Sequence, residues 1–429
     1  LSPFRAPSWL RVIGEKSYFP DAQRWSGNSK GVEVVLVTPE ASKNFDIQKA
    51  RPVFLGEAND LPLVPPFDVR YFNPVGFRPV NSKAEVIPIP DFDNKSEDLL
   101  MKVRSALAVE HEKIDSIDTA LKIIELAATG APIVIKDKEN MVSWLGSELA
   151  EAICSVDETK LSDPTEREKM SVNIRRAALK NHTLPVRLEQ IRKTAGLTVF
   201  KAPPVSVVVA TNRPDMLSRI IEIVESQDYD NLELILALHG KNFDRAQTPI
   251  PQNKLPITVL HFPKETVFGD VLTEASAVSG GSWVTKMDDD DWYGKEHVSD
   301  LFLASQYAHA DLVGKGSEFV YLESEGLTVR RDMGNSEVHS RTLAGGTLFV
   351  RSELLKEVNG WRSISKKVDV GLIDDVISVG GRVYRTHPFG YLLRRTANNH
   401  TWEVNDRYFL RDADQTWDGA AFKVAEVIE

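Results

Sequence analysis

The sequence predicts an α/β protein: a largely parallel sheet covered by helices in its second half, preceded by a second α/β unit. Three observations predict it. From residue 205 onward, short unbroken apolar runs alternate with helical patterns, as strands buried on both faces require. Pro203-Pro204 punctuates the chain between a polar helical stretch and the first of those runs. The 429 residues exceed what one ordinary core holds. The predicted units are residues 1–200 and 203–429, the latter with a C-terminal extension.

In the first unit, "GVEVVLVTPE" and "EVIPIPDF" read as strands. Residues 51–92 are Pro-rich and irregular. "KSEDLLMKVRSALAVEHEKI" reads as a helix. "SIDTALKIIELAATGAPIVIKD" reads as a helix stopped at Gly130 and then the strand "APIVI". "DPTEREKMSVNIRRAALKNHTLPVRLEQIRKTAG" reads as one or two amphipathic helices. In the second unit, "VSVVVAT" is a buried strand, and "RPDMLSRIIEIVESQ" is a helix with Pro214 near its first turn. "LELILAL" and "ITVLHF" are strands, "GDVLTEASAVSG" is a helix closed by Gly280-Gly281, and "SWVTKM" is a strand. In a sheet of this β-α-β-β-α-β order, ligands bind beyond the carboxyl ends of the strands, where "VVVAT" and "WVTKM" both finish.

Composition narrows the classes. The 52 Lys and Arg against 62 Asp and Glu give a net charge of −10, which argues against broad phosphate neutralisation, and no nucleic-acid partner is expected. The single cysteine, Cys154, excludes an intrachain disulfide and reads as a small core residue in "LAEAICSV". No apolar stretch approaches the roughly 20 residues of a membrane span. The opening residues lack the apolar run of a secretory signal, and Leu1 leaves open whether a segment precedes them.

"SWVTKM" delivers four consecutive aspartates, Asp288 to Asp291, followed by Trp292 and Tyr293. A solvated acidic turn is the ordinary reading of such a run. Its place at a strand end favours a cation site, because like charges this dense repel unless a cation or solvent relieves them. Carboxylates at i and i+2 of an extended chain point to one side. Oxygens so placed suit Mg²⁺ or Mn²⁺ together with a substrate's phosphates.

From Val205 to about Trp402 the chain resembles GT-A fold glycosyltransferases of the large inverting family two. Five stretches carry the likeness in order: "PPVSVVVATNRPDMLSRIIEIVESQDYDNLELILA", "GDVLTEASAVSGGSWVTKMDDDD", "AGGTLFVRSELLKEVNGWRS", "VDVGLIDDVISVGGRVYRT" and "NNHTW". The resemblance implies a GT-A nucleotide-diphospho-sugar transferase domain, a Rossmann-like mixed sheet. It implies a metal-dependent, inverting transfer of sugar from a nucleotide-diphosphate donor to a hydroxyl of a glycan, glycolipid or cell-envelope polymer.

Carried over by residue, Asp288 and Asp290 match the DxD pair, with Asp290 the direct metal ligand and Asp288 nearer the ribose. Asp289 and Asp291 form an alternative register, with Asp289 on the donor side. His400 becomes the third protein contact of Mn²⁺ or Mg²⁺. Asp369 matches the aspartate of the family's ED motif and becomes the general base, with Val368 in place of the usual Glu. Asp374 and Asp375, read as acids of a helix N-terminal turn, are the alternatives. Ala210, Thr211, Asn212 and Arg213 hold the base and ribose. His239 stands where the family has an acidic pair for uracil, which leaves the nucleobase open. Asp270 is a substitute contact or a helix cap. Lys286 touches the diphosphate or balances the acids. Gly345, Gly346, Trp361 and Trp402 fall on the acceptor side, and Trp292 and Tyr293 are further candidates to stack on sugars; for glycines a simple turn, and for aromatics core packing, is the ordinary alternative.

In the first unit, "ALKIIELAATGAPIVI" and "RRAALKNHTLPVRLEQI" faintly resemble the nucleotide-binding half of GT-B glycosyltransferases, with Glu125 in the place of a ribose contact. That implies a degenerate α/β domain that scaffolds, oligomerises or binds acceptor. The implied partners are the nucleotide-sugar donor, a glycan or lipid-linked acceptor and a second copy of the chain. The implied location is cytoplasmic, with peripheral membrane contact if the acceptor is a lipid. A rival from another class is a catalytically decayed nucleotide-sugar or glycan-binding assembly module, for which Val368 and the missing acidic pair leave room. A nucleotidyltransferase would want a Gly-rich loop after the first strand, and "ATNRPDM" has none.

Overall fold

The computed structural model describes residues 10–14, 32–36, 86–88, 107–199, 201–243, 250, 254–333, 336–396 and 406–427. Leu10–Gly14 and Val32–Leu36 pair in parallel. A second parallel sheet joins Val86–Pro88, β1 (Ala108–Lys113) and β2 (Ile133–Asp137) in that order. β1 corrects the expectation of a helix through "AVEHEK". It lies between two partners, with Ala108 and Val109 buried, and that sheet context overrides local helix propensity. α1 (Ile117–Thr129) starts where Ser116 accepts the Thr119 N–H at 3.2 Å and ends at left-handed Gly130 (φ 83°). Cys154 closes α2 (Ser147–Cys154) and is exposed, so it is not the core residue expected. The long amphipathic stretch is two helices, α3 (Pro164–His182) and α4 (Leu184–Thr194), the second carrying Pro185 in its first turn.

The second unit runs β3 (Val205–Thr211), α5 (Leu217–Glu225), β4 (Leu232–His239), β5 (Ile257–Phe262), α6 (Phe268–Ala277) and β6 (Trp283–Met287). There follow β7 (Trp292–Tyr293), α7 (His297–Tyr307), β8 (Leu312–Gly314), β9 (Phe319–Leu322), β10 (Leu327–Arg331), β11 (Val338–His339) and β12 (Phe349–Arg351). Then come α8 (Val368–Ser378), β13 (Val383–Arg385), β14 (Tyr391–Arg395) and β15 (Ala413–Asp418). The main sheet has the order β11-β13-β8-β12-β6-β3-β4-β5. Its β6-β3-β4-β5 half is parallel, as predicted, while β12 runs antiparallel to both β6 and β8, so the whole sheet is mixed. A second sheet has the order β7-β14-β9-β10-β15.

Strand alternation explains the unbroken apolar runs. Val205, Val207 and Val209 of β3, with Leu234, Leu236 and Leu238 of β4, face the layer that holds α5. Val208, Ile235 and Ala237 face the opposite layer, with α6 and α8. Pro203-Pro204 does not mark a gap in packing. Ile123, Leu149, Ile174 and Leu179 of the first unit belong to the same contiguous core as Val207, Leu236 and Leu301. Among the described residues no helix is long and apolar enough to cross a membrane.

Candidate active site

The parallel strands β3 and β6 end side by side, and the loops beyond them meet. The four aspartates occupy four different environments there. Asp288 accepts from the buried Lys286 ammonium, which also donates to the Gly345 carbonyl at 3.3 Å. Burial opposes the charge on Lys286, but Asp288, and with it Asp369 and Asp291, holds its proton affinity above the ordinary lysine value. Asp289 is buried and accepts from the Thr211 hydroxyl at 2.5 Å and from the Arg213 fork, with Nε at 2.9 Å. The same guanidinium reaches Asp290 at 3.1 Å. Asp291 is 1% exposed and accepts from the Tyr391 hydroxyl at 2.7 Å and the Arg394 N–H at 3.0 Å. Burial first, then Asp288 and Asp290, push its proton affinity well above the ordinary carboxylate range. Behind the run, Arg219 of α5 donates to the Asp291 carbonyl at 2.7 Å.

The turn at Gly345–Thr347 lies between this run and Asp369. A Cβ on Gly345 would stand 2.9 Å from Asp369 Oδ2. One on Gly346 would stand 2.8 Å from both Asp288 Oδ2 and the Tyr293 hydroxyl, and 3.1 Å from Asp291 Oδ2. Only glycine allows so close an approach. The Tyr293 hydroxyl accepts the Asp288 N–H at 2.7 Å and donates to the Gly346 carbonyl at 2.9 Å, so one phenol joins the two loops. Asp369 lies in the first turn of α8, where the helix dipole favours an acid.

Other expected site residues fall elsewhere. Because α8 begins at Val368, Asp374 and Asp375 sit well past its N-terminal turn: Asp374 is exposed, and Asp375 is held by Arg362 at 2.7 and 2.9 Å. Trp361 is 4% exposed and donates to Ser276 at 3.1 Å, which makes it a core residue and not part of an acceptor surface. Asp270 does not cap α6. Val267 takes that position, and the Asp270 carboxylate accepts from Ser363 at 2.9 Å. Trp292 stacks on Phe422 at 5.9 Å.

On the donor side, Asn212 is exposed and its carbonyl accepts from Asn242 at 2.9 Å. Gly240, next to half-buried His239, abuts Asn212. Ala210 packs against the second apolar cluster. His400 and Trp402 lie outside the described residues. Among the described residues no three His, Cys, Asp or Glu side chains converge as a metal cluster. Mg²⁺ or Mn²⁺ needs only one or two carboxylates when phosphates and water complete its shell. Asp288 and Asp290 keep 37% and 19% of their side chains exposed, although Lys286 and Arg213 already stand against them.

Tyr391, Arg219 and the role of Tyr293 as a bridge escaped sequence reasoning. Tyr391 meets Asp291 across 100 residues of chain, and Arg219 meets it across 72. Spacing along the sequence carries no trace of either meeting.

Residues 206–346 match the family model described as Glycosyl transferase family 2. No curated protein matches the chain in sequence. Among solved structures, the mannosyltransferase PcManGT from Pyrobaculum calidifontis, in complex with GDP-Man and Mn²⁺, is 12% identical with a TM-score of 0.34, over 56% of this chain and 70% of that one. S. aureus TarS 1-349 in complex with UDP-GlcNAc is 15% identical with a TM-score of 0.38, over 48% of this chain. The chain spans 64% of that TarS structure, less than two thirds of its length. The matched segment runs from β3 through the aspartate run to Gly346, and by that match residues 206–346 are a glycosyltransferase segment of the family 2 type.

Proposed function

We propose that the chain is a metal-dependent, inverting transferase that moves a sugar from a nucleotide-diphosphate donor to a hydroxyl of a glycan, glycolipid or cell-envelope polymer. One observation carries this reading: Asp369 and the Asp288–Asp291 run flank the same Gly345-Gly346 turn at the carboxyl end of β6. An acid on one side of a narrow loop and a cation-binding pair on the other is what a single displacement needs. Asp288 and Asp290 would hold Mg²⁺ or Mn²⁺, with His400 as a further ligand, and the bound ion would supply Lewis-acid charge to the diphosphate leaving group.

The chain's own residues do the rest. Asp369 takes the proton from the acceptor hydroxyl as that oxygen bonds to the sugar's anomeric carbon and the bond to the diphosphate breaks. Lys286 orients Asp288 and holds the Gly345 carbonyl in place. Asn212 and His239, at adjacent strand ends, receive the nucleoside. We place the reaction in the cytoplasm, with peripheral contact at the membrane face where the acceptor is lipid-linked.

The test is transfer measured across a panel of nucleotide sugars with EDTA, Mg²⁺ or Mn²⁺. Asp369→Asn is expected to keep donor affinity while transfer falls by roughly 10²–10⁴-fold. Asp290→Ala is expected to lose the response to added metal. Normal turnover by Asp369→Asn removes it as the base, and full EDTA-resistant transfer removes the metal.

A further inference from the structure

Helix α3, although it comes from the first unit, sends two adjacent arginines into the second. Arg175 reaches the buried Glu337 at 3.1 Å. Arg176 clasps the Asp300 carboxylate of α7 with Nε at 2.8 Å and Nη2 at 3.0 Å, and all three residues other than Arg176 are at most 4% exposed, Arg176 itself 6%. From Asp300 a series of contacts leads to the aspartate run. Asp300 Oδ2 faces Lys315 Nζ at 3.5 Å and His387 Nε2 at 3.3 Å. Lys315 donates to the Phe389 carbonyl at 2.6 Å. Gly390, held at φ 80°, follows at once, and its carbonyl accepts the Gly294 N–H at 3.1 Å. That bond closes the β7–β14 pair, in which Tyr293 is registered against Tyr391. These are the two tyrosines that hold the Asp288 amide and the Asp291 carboxylate.

Beside Arg176 the apolar packing of α3 against the second unit is interrupted. A cavity of about 220 Å³ opens there, lined by Arg176, Tyr293, Gly294, Glu296 and Gly390 among others. Arg176 Nη1 faces Glu296 only at 3.9 Å. With space left around it, the bidentate Arg176–Asp300 pair is the polar connection that leads from α3 to this corner.

We propose that Arg176 is a positioning residue for the transferase: through Asp300 it holds the Tyr293–Tyr391 corner, and so the aspartate run, in the geometry the donor site needs. This rests on the proposed transferase reading, so one readout is independent of activity. In the full-length chain, hydrogen exchange of the peptide spanning 287–294 is compared between wild type, Arg176→Met, Arg176→Lys and Arg167→Met. Arg167→Met is the control. It removes a different buried bond of the same helix, from Arg167 to the Leu161 carbonyl at 2.7 Å.

Exchange in 287–294 is expected to accelerate at least tenfold in Arg176→Met and less in Arg176→Lys, and to stay within twofold of wild type in Arg167→Met. Donor KM is expected to rise at least tenfold in Arg176→Met alone. If Arg176→Met does not fold, Arg176→Lys, which keeps the charge and loses the fork, carries the comparison. Unchanged exchange at 287–294 in a folded Arg176 variant overturns the proposal, as does equal acceleration in Arg167→Met. Accelerated exchange in a chain that transfers no sugar leaves the positioning role standing and counts against the transferase reading.

Discussion

Tyr293 is the residue on which the two halves of the site depend most directly. Its hydroxyl serves one backbone donor and one backbone acceptor in a place only 4% exposed. Tyr293→Phe is expected to lower stability by about 1–3 kcal/mol, the cost of leaving buried polar groups unpaired. Chemical unfolding measures it, and an unchanged midpoint would show that the bridge holds nothing. At this scale the sequence offered candidates wherever a local motif could be read. Asp288, Asp290 and Asp369 sit in short patterns that can be read in place. It disclosed poorly what each carboxylate touches. The four aspartates look alike along the chain, yet Asp291 is sealed under Tyr391 while Asp290 keeps a solvent face. That distinction is made by β14, delivered 100 residues later.

Elements were legible where the signal is local and periodic. Ser116 and Gly130 frame α1 because a hydroxyl N-cap and a left-handed glycine satisfy helix-end groups with no help from the rest of the fold. Gly130→Ala puts a Cβ into a backbone at φ 83° and is expected to cost about 1–2 kcal/mol in unfolding free energy. A thermal midpoint equal to wild type would mean that the helix end relaxes freely. The strands β3 to β6 were legible for a different reason: burial on both faces leaves an unbroken apolar run with turn residues at each end. β1 was not legible. "AVEHEK" carries charged residues that a helix accepts readily, and only its neighbours in the sheet make it a strand. Asp374 and Asp375 were misplaced because helix ends are the least certain boundary in a sequence, and the true start at Val368 moves both acids past the first turn.

For the molecule as a whole, the two units are one packing body in the described residues, because α3 and β3 contribute to the same apolar core. A charge placed inside the first unit is therefore felt by the whole fold. His182 is 3% exposed, with Nε2 2.9 Å from the Leu145 carbonyl and Nδ1 2.5 Å from an Arg187 guanidinium, an arrangement suited to the neutral ring. Burial first, and then Arg187, lower its pKa to about 4. The unfolded chain protonates near pH 6.5, so this contribution is complete above that value and is lost as pH falls towards 4. From pH 7 to 5 the stability is expected to drop by about 2 kcal/mol on this account. The fall should be shallower in His182→Gln, measured by urea unfolding at both pH values, and an identical slope would assign the loss to other groups.

The partnership of Arg176 with Asp300 also constrains how the chain is made. The two residues are 124 positions apart, so at 5–20 residues per second the helix leaves the ribosome roughly 6–25 s before its counterion exists. For that interval Arg175 and Arg176 precede Glu337 and Asp300, the acids they meet in the folded chain. The core that α3 shares with the second unit is likewise completed only once that unit has been synthesised.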